Sequence, residues 1–196
     1  MAEREQDTGL RSRLVDVGVE LVGTEGAQAL SLREIARRAG VSHGAPRRYF
    51  PTHLSLLSAI ARRGFEELAG QAGAAIAGHP GDPRGQLMAL ARSWLEFALA
   101  NRGMFELMFR HDLLESNHLG LRETSLPLFA TLVELVAGAG PASGAEPRIV
   151  AGALWANLHG IAQLWGWGSL QLAVGVEDAE PLLRAALDAH LGPQTR

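Results

Sequence analysis

The chain of 196 residues is 47% hydrophobic and 20% charged, which fits one compact globular unit, or two small ones sharing a core, and excludes the fibrous and disordered classes. Its 23 Gly and 9 Pro follow no fixed period, and the absence of Cys removes a disulfide framework, a thiolate zinc site and a cysteine nucleophile. All 18 basic residues are Arg, more naturally a mark of GC-rich bacterial codon usage than of chemistry. The net charge of −3 hides seven Arg against the single acid Glu34 from Ser31 to Arg63, and eight Arg against twelve acids from Gln71 onward.

The first residues, Met1 to Gly9, are charged rather than apolar, and no apolar run approaches the ~20 residues needed to span a bilayer. A cytoplasmic location is expected. Leu10, Leu14, Val17, Leu21 and Val22 recur at helical steps, so a first helix is predicted from about Thr8 to Glu25, with Gly26 as its left-handed cap. Ser31-Leu32-Arg33-Glu34 reads as a capping box in which serine and glutamate each satisfy a free backbone donor. A second helix is predicted there, stopped at Gly40. Ser42 is the next cap, and a short third helix is predicted from His43 to Tyr49. Pro51 ends it, and Thr52 can cap a long fourth helix to about residue 77.

Further helical patterns run from about Arg84 to Asn101, Gly103 to Leu114, Leu119 to Ala137, Glu146 to Trp167 and Glu177 to Leu191, with Gly138 to Pro147 a loop. Pro127 is able to split its helix. Nothing alternates at period two for long enough to form a strand. The expected fold is all-α: an N-terminal three-helix helix-turn-helix domain, residues 1–51, joined by a long helix at 52–77 to a C-terminal bundle of about five further helices, residues 52–196.

A capped helix, a tight Gly turn and a second short helix are the parts of a helix-turn-helix, whose second helix lies in the DNA major groove while the first crosses the backbone. Arg33, His43, Gly44, Ala45, Arg47 and Arg48 then gather donors for phosphates and guanine edges on one small surface. Gly44 and Ala45 allow the helix to approach the bases closely. Arg37 and Arg38 read as a solvated helix face, and Phe50 as core.

The run Leu30-Ser31-Leu32-Arg33-Glu34-Ile35-Ala36-Arg37-Arg38-Ala39-Gly40-Val41-Ser42, followed by an aromatic pair and a long helix, strongly resembles the DNA-binding domain of TetR-family transcriptional regulators. Gly103-Met104-Phe105-Glu106-Leu107-Met108-Phe109 and Trp155-Ala156-Asn157-Leu158-His159-Gly160 resemble the branch of that family whose C-terminal domain is named for a Trp-His-Gly pattern. The resemblance implies a two-fold dimer that binds a palindromic double-stranded operator as a repressor and releases it when a small molecule occupies the C-terminal domain. It also implies DNA contacts from Ser31, Arg33, Ser42, His43, Gly44, Ala45, Arg47, Arg48, Tyr49 and His53. Where the family usually has Tyr, any residue, His and Phe, this chain has Arg47, Arg48, Tyr49 and Phe50, and His53 stands where Lys is common.

In the acidic half, Trp94, Phe97, Met104, Met108, Phe129 and Trp155 can wall a mostly apolar effector site, with His159, four residues after Trp155, as a polar contact. Taken singly, Trp155 and His159 read equally well as packing. The dimer interface is expected from the last two helices, through Ala151, Leu154, Leu158, Leu183, Leu187 and His190. His111, Glu115 and His118 share metal-ligand spacing, but the loop-like Ser116-Asn117-His118-Leu119-Gly120 between them favours solvated capping residues, so neither metal nor cofactor is expected. No His-Glu-x-x-His or Gly-x-Ser-x-Gly pattern is present, so no enzyme is expected. The alternative is an all-α ligand carrier or enzyme without a nucleic-acid role.

Overall fold

A computed structural model describes residues 2–193, with side chains from residue 9 onward, so the side chains of the charged start, Met1–Thr8, lie outside the described residues. Eleven α-helices and two 3-10 turns make up this part, with no strand among the described residues. Helix α1 spans Ala2–Glu25 and α2 spans Leu32–Arg38. The Ser31 hydroxyl accepts the Glu34 N–H at 3.1 Å, which is one half of the expected capping box. The other half is absent, because the Glu34 carboxylate turns outward to Arg37 and Arg38. Gly40, at φ 67°, ends the helix: its N–H reaches the Arg37 carbonyl and that of Val41 reaches the Ala36 carbonyl, the paired bonds of a Schellman turn.

Helix α3 is Ala45–Tyr49, two residues shorter than expected at its start. Ser42 does not cap it by side chain. Its carbonyl takes the Ala45 N–H instead, so residues 43 and 44 form a turn, and Gly44 is the N-cap. Helix α4, His53–Ala77, starts at a reciprocal cap: Thr52 Oγ1 accepts the Ser55 N–H at 3.0 Å and Ser55 Oγ accepts the Thr52 N–H at 3.2 Å.

Helix α5 is Pro83–Ala100. The single helix expected from Gly103 to Leu114 is two, α6 at Arg102–Met108 and α7 at His111–Ser116, parted by an extended Arg110 whose guanidinium binds the neighbouring Asp112 at 2.6 and 3.1 Å. Left-handed Asn117, Leu119 and Gly120 follow before α8, Leu121–Ala139, which runs unbroken through Pro127. Helix α9 is Pro147–Gly166. A short α10, Ser169–Val174, which the periodicity did not indicate, sits between left-handed Gly168 and Gly175, so that α11 begins only at Glu180 and ends at Leu191.

The contacts divide the chain into two compact units, one of residues 1–66 and 101–125, the other of 67–100 and 126–196. This division by packing does not fall at residue 51, because α6 and α7 join the N-terminal helices. Gly103 of α6 lies so close to α1 that an added Cβ would collide with the Val22 carbonyl oxygen and stand 3.2 Å from Gly26 Cα. Leu14, Leu21, Ile35, Phe50, Leu57 and Ile60 fill the core of this unit. In the second unit α9 packs against α5, α10 and α11, around Leu87, Phe97, Val150, Leu154 and Leu187. Among the described residues no helix is long and apolar enough to cross a membrane.

Candidate functional site

The turn closed by Gly40 presents α3 beyond α2, and Pro46, buried at the second position of α3, anchors it from beneath. Arg33, His43, Arg47 and Arg48 are exposed, as are Ser31, Ser42 and Gly44, while Ala45 and Tyr49 are half-buried. The ion pairs divide the arginines of this region into two groups. Arg37 and Arg38 both hold Glu34, Arg38 also holds Glu25, Arg62 holds Glu66 at 3.0 Å and Arg63 holds Asp16 at 3.1 Å. Hydrogen bonds from Arg37 and then Arg38 pull the Glu34 carboxyl down to about 2. Among the described residues, Arg33, Arg47 and Arg48 have no carboxylate partner within 4 Å. Between Ser31 and Arg63 the cations left uncompensated are thus one at the start of α2 and two on the short α3.

His53 is placed differently from a free phosphate ligand. Its Nε2 lies 2.8 Å from the Leu30 carbonyl, so the ring N–H donates there and ties the start of α4 to the residue before the Ser31 cap. Only its other nitrogen remains for a phosphate. Two further contacts went unnoticed in the sequence: Arg11 lies over the Phe50 ring at 5.4 Å, and Arg38 reaches back to Glu25. The spacing of Glu34 to Arg37 and Arg38 was the available signal for the ion-pair cluster.

The expected effector residues separate into groups. Trp94, His159, Trp155 and Phe129 form one run in the second unit, with ring centroids 6.1 Å apart for Trp94–His159, 6.3 Å for His159–Trp155 and 6.0 Å for Trp155–Phe129. Burial lowers the His159 pKa below its usual range, which leaves the ring neutral near pH 7. Phe97 is 1% exposed, in the core. Met104 and Met108 pack in the first unit against Gly64, where an added Cβ would lie 2.7 Å from Met104 Cγ and 2.5 Å from Met108 Sδ.

The expected interface residues require correction. Ala151, Leu154, Leu158, Leu183 and Leu187 are buried within the single chain, where α9 meets α11, so they offer no surface to a partner. His190 is half-buried and bonds Asn157 at 2.9 Å through Nε2. The outward side of α9 carries Ile149, Ala153, Asn157, Gly160 and Leu164. His111 Nε2 is 3.6 Å from Glu115 with both side chains exposed, and no three metal-ligating side chains are grouped among the described residues.

A serine-capped helix, a glycine turn and a short helix bearing unpaired arginines define an all-α helix-turn-helix protein of the DNA-binding transcription regulators. Residues 14–60 match the family model of bacterial regulatory proteins, tetR family, and residues 87–190 match that of the tetracyclin repressor-like C-terminal domain. The chain belongs to the TetR family. It is similar to a solved protein of unknown function from Rhodococcus sp. RHA1, with 30% identity, 92% of each chain covered and a TM-score of 0.77. It is also similar to the multidrug binding protein EbrR complexed with imidazole, with 26% identity, 94% of this chain and 92% of that one covered, and a TM-score of 0.62. AibR, in complex with isovaleryl coenzyme A and operator DNA, shares the fold at 14% identity, with 94% and 100% covered and a TM-score of 0.66. No curated protein matches the chain.

Proposed function

We propose that the protein is a cytoplasmic repressor that holds a palindromic operator as a homodimer and releases it when a small, mostly apolar effector binds. Residues 1–51 read the DNA, and residues 52–196 hold the effector and the dimer partner. One observation carries the reading: in the stretch from Ser31 to Arg63, Arg37, Arg38, Arg62 and Arg63 are neutralised by acids, whereas Arg33 at the start of α2 and Arg47 and Arg48 on α3 are left for another anion. Phosphates are the anions that a helix-turn-helix meets. His43 and Gly44, in the turn that leads into α3, and Ala45, its first residue, then face the base edges.

A two-fold dimer follows from the length of α3. Five residues read only a few base pairs, and two copies on a dyad engage successive major grooves about 34 to 36 Å apart. The outward stripe of α9 supports the interface, since residues 149–166 carry no Asp, Glu or Arg although much of the helix is exposed. Trp155, His159 and Gly160 favour the Trp-His-Gly branch, and the aromatic run through two of them favours an apolar effector. EbrR as a multidrug binding protein and AibR with a coenzyme A ester and an operator are consistent with both ligand classes. Equilibrium binding to random-sequence duplex DNA across salt concentrations tests the reading: a regulator binds and loses affinity steeply as salt rises. No binding at low salt would leave the all-α carrier or enzyme.

A further inference from the structure

Four arginines of the second unit are described, and three of them are ion-paired: Arg84 with Asp188, Arg92 with Glu180, and Arg184 with Glu180 at 3.3 Å. Arg148 is not. Among the described residues no carboxylate comes within 4 Å of it, and its guanidinium lies 5.3 Å over the ring of Phe129. The unit holds nine acids against five arginines, so acidic partners are in excess and an unpaired cation calls for a reason. Its place is also electrostatically adverse. Arg148 is the second residue of α9, where the helix dipole opposes a positive side chain.

Along α9, Gly152, Trp155 and His159 follow Arg148 at steps of four, three and four, which places them on one stripe. The buried side of the helix is a different one, with Ala151, Leu154, Leu158 and Ala162, and the outward apolar side is a third. Gly152 has no structural reason to be glycine. Its φ is not positive, and nothing lies within 4 Å of where a Cβ would stand. Glycine inside a helix is destabilising relative to alanine. The stripe thus has an open stretch of surface over Gly152, with the Arg148 cation at one end and Trp155, 38% exposed, at the other. Phe129 borders both, 6.0 Å from Trp155 and beneath Arg148.

We infer that this open stretch takes an effector with a flat aromatic body and an anionic end, the body over Gly152 against the exposed Trp155 ring and the carboxylate, or an equivalent acid, on Arg148. The inference rests on the effector reading above and narrows it from apolar to aromatic acid. The guanidinium gives a carboxylate two parallel hydrogen bonds, and the Trp155 ring gives the body stacking and edge contacts. His159 at the inner end, neutral through burial, adds a polar atom without a second charge.

Calorimetry on the full chain with 1-naphthoate and its neutral isostere 1-naphthamide tests this directly. Naphthoate is expected to bind at least tenfold more tightly than naphthamide. Arg148→Gln should erase that preference while leaving naphthamide affinity unchanged. Gly152→Leu should weaken both probes at least tenfold with a melting temperature no lower than the parent's; Gly152→Ala, which adds one methyl, should weaken them several-fold and guards against a leucine variant that fails to fold. Equal affinity for the two probes, a naphthoate preference that survives Arg148→Gln, or no binding of either overturns the inference. The effector reading fails separately, when bound probe leaves the affinity for duplex DNA unchanged.

Discussion

Replacing Arg47 and Arg48 together by alanine removes two cations that have no acidic partner among the described residues. In a two-fold dimer that is four cations per operator. Each lost phosphate contact flattens the plot of log affinity against log salt by about 0.9, so four lost contacts make the slope shallower by about 3.6. Between 50 and 200 mM salt, a slope difference of that size amounts to about 150-fold in relative affinity. The comparison variant is Arg62→Gln with Arg63→Gln, which removes the same formal charge from arginines already bound to Glu66 and Asp16. Its slope should stay within about one unit of the parent's. Fluorescence anisotropy of a labelled duplex, titrated at several salt concentrations, gives both slopes. A parental slope for the Arg47/Arg48 variant, or equal flattening by the Arg62/Arg63 variant, would refute the division of the arginines into paired and DNA-facing sets.

Three further outcomes follow from particular contacts. Gly103→Ala drives a Cβ into the Val22 carbonyl and towards Gly26 Cα; both are backbone, so the variant should lose about 1–3 kcal/mol of stability, and an unchanged denaturant midpoint would count against the close packing of α6 on α1. Gly160→Glu places a charge in the outward stripe of α9, and sedimentation should then find a monomer whose melting temperature stays near the parent's; a dimer as tight as the parent's would move the interface elsewhere. His159 titrates below its usual value near 6.5 because burial disfavours its charged form. The unfolded chain therefore binds that proton more readily, and stability falls as pH drops through about 6.5. His159→Gln should reduce that loss, as seen in thermal melts from pH 7.5 to 5.5, and identical pH profiles would contradict it.

The helix-turn-helix was legible because its signals are local. Ser31 caps, Gly40 turns left-handed and Pro51 stops α3, each through the backbone geometry its residue type imposes. The break between α6 and α7 was hidden, because no glycine or proline marks it: Arg110 turns extended there, with its guanidinium on Asp112, and the apolar spacing on either side still reads as one helix. Ala151, Leu154 and Leu158 were visible as an apolar face of α9, yet periodicity marks a buried face without naming what buries it, and α5 and α11 of the same chain do so. Trp94, Phe129, Trp155 and His159 could be chosen by residue type and spacing, but Met104 and Met108 belong with Gly64 in the other unit. Arg148 went unnoticed since a lone arginine carries no pattern. Its lack of an acidic partner exists only in three dimensions.

Selection of bound sequences from a random duplex library by the full-length protein tests the central claim most directly. The account predicts enrichment of an inverted repeat with half-site centres about one helical turn, or a multiple of it, apart, and loss of that enrichment when Arg33, Arg47 and Arg48 are all replaced by alanine. Recovery of sequences without an enriched repeat, or an enrichment that survives the triple replacement, would contradict it.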